Sequence, residues 1–349
     1  MTMAPSLYMV NEWLLSGIIL VHANIPIRCG RMDVKERMRE LGEGIVNEAF
    51  DDLFSHNIPS PMANRVLRRF SRWWRDYTRA ALIVMSCQAV GGDPALVRQA
   101  AKSLVLTGGA FDLHDDIIDK SFVRKKTRTR SIQDRYGMEA TLLAGDALLI
   151  GGLANLADMP GLNEKVRRQV LTEITNGLFE LGSAEMEEMA FVHNLEATPR
   201  RYIRILWMKS ADMESYTKIG AMIGNGSAEE VEALGLYGRC LGMICILRDE
   251  LEDCFNDFYE LRARISNESL PLPIVYSLGD KRCRDLLSGF FKRLPKQPTD
   301  KQLRTLIQFI DENRGFEKGQ ALIDKYVRMA KVEARKLKDP EPFLALFPD

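Results

Sequence analysis

The sequence predicts an all-α protein built as one large helical bundle, and three observations carry that prediction. Apolar residues recur at three- to five-residue spacing along almost the whole chain from about Met32, the signature of amphipathic helices. No stretch alternates apolar and polar residues as a half-buried strand would. Breaks between helical runs fall where glycine, proline and small polar residues supply turn chemistry.

Residues 1–31 read as an irregular extension. Their apolar stretch WLLSGIILVHANIPI (Trp13 to Ile27) follows no basic segment, lacks a small-residue cleavage site and is too short to span a bilayer. A weak membrane-surface anchor is the alternative. Helical pattern then begins with MDVKERMRELGEGIVNEAFDDLF, where Met38, Leu41, Ile45 and Phe50 share one side. Further helices are expected near 62–90, 94–119, 137–158, 162–191, 200–224, 227–257, 299–313 and 316–337. They are separated by GGDP at 91–94, MPG at 159–161, ATP at 197–199, GNGSAEE at 224–230 and QPTD at 297–300. Ser227 with Glu230 has the spacing of a capping box for the helix that follows. With no repeat, low-complexity linker or shift in composition, residues 32–349 are expected to form one domain.

Composition narrows the function classes. A chain of 349 residues with 46% hydrophobic content can bury a large core, which sets disorder aside. Its 48 basic and 48 acidic residues cancel, so no global field recruits nucleic acid or anionic lipid. Cys29, Cys87, Cys240, Cys245, Cys254 and Cys283 form no CxxC pair and sit largely within apolar helical patterns, as reduced thiols of a cytoplasmic protein would. No transmembrane segment is expected.

Chemistry concentrates in two acidic stretches. In DLHDDIID, Asp112, Asp115, Asp116 and Asp119 stand at i, i+3, i+4 and i+7 and therefore share one helix face. Flanking Phe111, Leu113, Ile117 and Ile118 imply partial burial, where unpaired carboxylates are costly. Either the face is solvated or something positive sits on it. The second stretch, RDELEDCFND, sets Asp249, Asp253 and Asp257 at i, i+4 and i+8 in a helix that also carries Leu247, Leu251 and Phe255. Oxygen donors without histidine pairs or thiolates suit Mg2+, which completes its octahedron with water and substrate phosphate. Two such faces meeting across a bundle would hold a diphosphate. His114, beside Asp115, is expected to pack or to orient a neighbour.

The residues Asp115-Asp116-Ile117-Ile118-Asp119 resemble the DDxxD motif of trans-isoprenyl diphosphate synthases, and Asp249-Glu250-Leu251-Glu252-Asp253 resembles that family's second acidic motif. Five further islands keep family order. CQAVGGDP (Cys87 to Pro94) is similar to its CExxGG turn and LAGDALL (Leu143 to Leu149) to its LAGDxLL segment. MKSA (Met208 to Ala211) with GAMIG (Gly220 to Gly224) is similar to its KTxxL and GAxxG stretches, and SLPLPI (Ser269 to Ile274) to TLPxI. The resemblance implies the isoprenoid synthase fold, a helical bundle around a central apolar cavity.

It also implies roles. Asp115, Asp119 and Asp249 would be the main Mg2+ ligands, with Asp116 and Asp253 supporting them and Asp257 at the third place of the second stripe. Two or three ions would be bridged by the substrate diphosphate. Lys209 and Arg124 would contact phosphate oxygens, and Lys125, Arg79 and Arg248 would join them on the substrate. Lys209 could instead be a snorkelling surface lysine. Ala110 and Phe111 stand where the family floors its hydrocarbon tunnel. The departures gather on the acceptor side: Asp76 replaces the lysine of GKxxRP, Gly108 replaces a histidine, Lys125 replaces the second arginine after DDxxD, Ile246 replaces a glutamine, and Asn267 and Glu268 replace basic residues. Aspartate for lysine exchanges attraction of a phosphate for repulsion.

Three readings follow. A polyprenyl diphosphate synthase would join an allylic prenyl diphosphate to isopentenyl diphosphate. A terpene cyclase on the same fold would need no acceptor, and a non-catalytic subunit would serve an active partner. The resemblance further implies a homodimer, with helices around 94–110 and 137–158 as its surface.

Overall fold

The computed structural model describes residues 34–123, 129–157, 159–255 and 258–347. The expectations for residues 1–31, Arg124, Lys125 and Asp257 fall outside the described residues. Helices account for the rest of the architecture as expected. Among the described residues there is no strand, only two isolated antiparallel bridges, Val123 with Arg130 and Val192 with Ser269.

Helix α1 (Val34–Ser55) buries Met38, Ile45, Val46, Phe50 and Leu53. Helix α2 (Pro61–Trp73) starts where Ser60 accepts the Ala63 N–H and proline occupies the first turn; Val66, Leu67 and Phe70 face inward. The sequence pattern suggested one helix over 62–90, and the structure divides it. Trp74 is extended, and the Asp76 carboxylate accepts the Thr78 N–H at 2.9 Å, so a local aspartate turn starts α3 (Thr78–Ala89) afresh. A single-turn 3-10 helix (Pro94–Val97) leads into α4 (Arg98–Ile118), and the short α5 (Ile132–Tyr136) precedes α6 (Met138–Ala157).

Next come α7 (Glu164–Met189), α8 (Pro199–Lys209) and α9 (Ala211–Ile223), the last two separating at Ser210 within the expected 200–224 segment. The hydroxyl of Ser210 donates to the Leu206 carbonyl at 2.9 Å, competing with the helical ladder at the break. The expected capping box opens α10 (Ala228–Phe255): Ser227 N–H donates to the Glu230 carboxylate at 2.8 Å and Glu230 N–H to Ser227 Oγ at 3.2 Å. Short helices α11 (Phe258–Asn267), α12 (Leu272–Ser277) and α13 (Lys281–Phe291) precede α14 (Asp300–Glu312), α15 (Gly315–Ala334) and α16 (Glu341–Leu344).

Contacts divide the chain into two compact units, one of residues 1–174, 215–236 and 331–349, the other of residues 175–214 and 237–330. In the first, α4 and α6 pack along their lengths, tied by Ser103 Oγ donating to the Gly152 carbonyl at 2.7 Å. The GGDP turn sits against the end of α9 so closely that a Cβ on Gly92 would fall 2.3 Å from Gly224 Cα; only glycine fits either side. In the second, α10 buries Tyr237, Leu241, Met243 and Leu247, and Trp207 lies 5.9 Å from the ring of Tyr326. The five described cysteines are buried and free.

Candidate active site

The first acidic face is held by α4, and the end of that helix defines it. Lys120 adopts φ 55°, Ser121 N–H donates to the Asp116 carbonyl at 2.9 Å, and Lys120 N–H donates to Ile117 O at 3.3 Å. This left-handed cap ends the helix at Asp119. Asp115, Asp116 and Asp119 therefore occupy the last turn, where the helix dipole already concentrates negative charge. Asp115 and Asp116 are buried and Asp119 is half-buried.

Asp112, one turn earlier, is differently employed. Its Oδ2 accepts the Trp74 indole N–H at 2.7 Å and its Oδ1 lies 3.7 Å from the Arg79 guanidinium. Trp74 is seated by aromatic packing, 5.7 Å from Phe70 and 5.9 Å from Phe50. Arg79 is only 2% exposed; it pairs with Asp76 as well as Asp112 and donates from Nε to the Tyr216 hydroxyl at 3.0 Å. Nearby, His114 Nε2 is 3.4 Å from Asp146, the aspartate of LAGDALL. Ala110 is fully buried, and the half-buried Phe111 meets the His114 ring edge-on at 6.4 Å.

The second acidic stretch lies on α10 in the other unit. Asp249 is half-buried, whereas Asp253 is buried and its Oδ2 accepts from Arg264 Nε at 3.0 Å. Arg264 also pairs with Glu268 at 2.8 Å, and the two carboxylates hold it charged against the cost of burial. Glu250 points inward: it accepts from the Tyr202 hydroxyl at 2.5 Å and from the Leu272 N–H at 2.9 Å. Burial pushes its carboxyl up to about 7, with Arg264 and the two hydrogen bonds opposing. Burial also lowers the pKa of the half-buried Arg248 guanidinium.

Lys209 is neither a free phosphate hand nor a snorkelling surface residue. Its ammonium sits 3.0 Å from Glu185 and 2.5 Å from Glu188, both on α7, and is 17% exposed. Glu188 in turn accepts from Ser269 Oγ at 2.5 Å, and Ser269 meets the Tyr202 hydroxyl at 3.0 Å. One polar chain thus runs from Lys209 to Glu250. Burial raises both glutamates, and Lys209 with Ser269 more than offsets it for Glu188, which ends lowered, while Glu185 ends raised. Sequence reasoning missed Glu185 and Glu188; their i, i+3 spacing in EMEEM was the available signal.

No three carboxylate, histidine or cysteine side chains among the described residues form a ready-made metal cage. Oxygen donors on one face without a cage suit a hard ion that keeps water and phosphate among its ligands.

A family profile described as polyprenyl synthetase matches residues 76–308. A short chain isoprenyl diphosphate synthase from Methanothermobacter thermautotrophicus is 23% identical over 332 residues, covering 91% of this chain and 97% of that protein. The geranylgeranyl pyrophosphate synthetase of Pyrococcus horikoshii superposes with a TM-score of 0.78 at 19% identity, over 89% of this chain and 96% of its own. A polyprenyl synthase of Caulobacter crescentus, solved with calcium and isoprenyl diphosphate, gives a TM-score of 0.76 at 18% identity, over 92% and 96%. The fold expected from the sequence is the fold of these proteins.

Proposed function

The chain belongs to the polyprenyl synthetase family of prenyltransferases, and on that premise we propose that it ionises an allylic prenyl diphosphate with Mg2+ and transfers the prenyl group. The observation that carries the reading is the last turn of α4. Three carboxylates within one helical turn present the oxygen donors that a hard divalent cation takes. Asp115 and Asp119 would hold it, with Asp116 beside them, and Asp249 on α10 would be a metal ligand in its own unit. When bound, Mg2+ supplies the positive charge that a departing diphosphate needs. Ala110 and Leu113 on α4 are fully buried beside the face on which the carboxylates stand. Lys209 would meet phosphate from its seat on Glu185 and Glu188.

The protein would act in the reducing cytosol, consistent with five free, buried cysteines. It would act as a homodimer through α6, whose outward side exposes Met138, Leu142, Leu143, Ile150 and Leu153. By length and composition α6 could also cross a membrane, but 44% of its apolar window is buried. The 94–110 segment, expected on the same surface, is covered within its own unit, with Ala100, Leu104, Val105 and Leu106 buried.

The test is incubation of purified protein and Mg2+ with geranyl, farnesyl or geranylgeranyl diphosphate, with and without isopentenyl diphosphate. Longer prenyl alcohols after phosphatase treatment, only with acceptor, are expected. Hydrocarbon formed without acceptor would replace prenyl transfer by cyclisation, and no product from any substrate would sink both.

A further inference from the structure

We propose that Arg79 is a positioning residue for the carboxylate helix rather than a ligand for a diphosphate. The inference rests on reading Asp115 and Asp119 as metal ligands and assigns the residue that aims them. Three anomalies of the sequence, Asp76, Gly108 and a retained Arg79, become one device in the structure. Arg79 lies inside the first unit with its guanidinium between two buried carboxylates. Asp76 on its own turn binds it through Oδ2, and Asp112 on α4 stands 3.7 Å away. The remaining carboxylate oxygens are also engaged: Asp76 Oδ1 accepts the Thr78 N–H at 2.9 Å and Asp112 Oδ2 the Trp74 indole at 2.7 Å. Tyr216 completes the enclosure, its hydroxyl 3.0 Å from Arg79 Nε.

Gly108 is what admits the arginine. A Cβ at that position would lie 2.8 Å from Arg79 Nε, 2.9 Å from Cδ and 3.2 Å from Cζ, so a side chain there would force the arginine to shift from this seat. Asp112 is four residues on, one turn along the same face. The Arg79 side chain therefore lies along α4 from Gly108 to Asp112, ending one turn short of Asp115 and Asp116. A phosphate seeking this guanidinium would have to displace two carboxylates that are themselves buried, leaving both uncompensated. What Arg79 does from this position is different. It removes Asp112 from the acidic face, and it pins the rotation of α4 against α3, which fixes the direction in which Asp115 and Asp119 project.

The experiment compares Arg79→Met with the triple variant Asp76→Asn/Arg79→Met/Asp112→Asn, in which all three charges of the cluster are removed. For each, thermal midpoint, the Mg2+ concentration that half-saturates turnover of the allylic diphosphate, and KM for allylic and isopentenyl diphosphates are measured. Arg79→Met is expected to lower the midpoint and to raise half-saturating Mg2+ by about tenfold or more, as expected when a buried charge pair beside the site is broken. The triple variant is expected to recover the midpoint and, at saturating Mg2+, to keep both KM values within about threefold of the parent, while half-saturating Mg2+ stays raised because the tie between α3 and α4 is gone. A triple variant that regains the parent's midpoint but keeps either KM about tenfold high would overturn the proposal, because a lost ligand is not restored by neutralising aspartates. So would Arg79→Met with unchanged Mg2+ dependence. Failure of the metal reading shows separately: Asp115→Asn would then leave Mg2+ dependence intact while Arg79 and Asp112 still coupled in thermal stability.

Discussion

Replacing Lys209 by methionine is a perturbation whose cost can be worked from its surroundings. The ammonium is 2.5 Å from Glu188 and 3.0 Å from Glu185, and the three side chains are between 12% and 17% exposed. Removing the cation leaves two carboxylates three residues apart on α7, mostly out of water and facing each other. Breaking a buried pair costs about 3–5 kcal/mol, and the residual exposure places this one near 3 kcal/mol. At roughly 2–4 °C per kcal/mol for a unit of this size, the melting midpoint should fall by about 6–12 °C. Adding Glu185→Gln and Glu188→Gln removes the uncompensated charges and should recover most of that loss. Differential scanning fluorimetry on the parent and the two variants gives the stability, and steady-state kinetics on the recovered variant gives the catalytic share. If the lysine also meets substrate phosphate, turnover stays low although the fold is restored. A midpoint shift under about 2 °C for Lys209→Met would refute the reasoning, since the glutamate seat would then be worth no more than a surface pair.

Asp115→Asn should abolish Mg2+-dependent turnover, by about 100-fold or more, with little change in midpoint, because it removes charge from a face that repels itself; activity at saturating Mg2+ checks it. Glu250 contributes a pH dependence of definite sign. Its folded pKa of about 7 lies above its ordinary 4.5, so the folded state holds a proton the unfolded state releases, and stability from this group is lost as pH rises from 4.5 through 7. The loss is about 3 kcal/mol at most, and urea titrations of Glu250→Gln should be flatter across that window than those of the parent. Gly224→Ala should destabilise strongly, because its Cβ would fall 2.7 Å from Val90 Cγ2 and 2.9 Å from the Cys87 carbonyl; loss of soluble protein or a lower midpoint checks it. Leu143→Glu with Ile150→Glu on α6 should shift sedimentation from dimer to monomer while leaving helical circular dichroism intact.

The fold was legible because periodicity and turn chemistry agreed for most of the chain. The Ser227–Glu230 box and α6 lie where the pattern put them. What was not legible was decided by side chains acting on their own backbone. Asp76 looked like a damaged phosphate ligand in a continuous helix, yet it accepts the Thr78 N–H where α3 starts and pairs with the arginine three residues on. Nothing in a linear pattern distinguishes an aspartate that repels a ligand from one that captures a neighbour; the geometry of the Thr78 N–H and the space over Gly108 do. Residues 258–277 were missed because α11 and α12 are short, and α12 starts after Pro271 with no side-chain cap, so packing rather than propensity forms them.

The candidate site divides along the same line. Spacing alone marked the carboxylates on α4 and α10, since a shared helix face follows from sequence separation. It could not say which of them were already committed. Asp112 is held by Trp74 and Arg79, Asp253 by Arg264, and Glu250 by Tyr202 and the Leu272 amide. An acidic residue tied to an internal cation cannot give the same charge to a metal without leaving that cation uncompensated, which is costly when the pair is buried. The tied carboxylates therefore fix the helices that carry the others. Neutralising them, Asp112→Asn or Asp253→Asn, should cost stability, whereas neutralising Asp115, Asp119 or Asp249 should cost turnover.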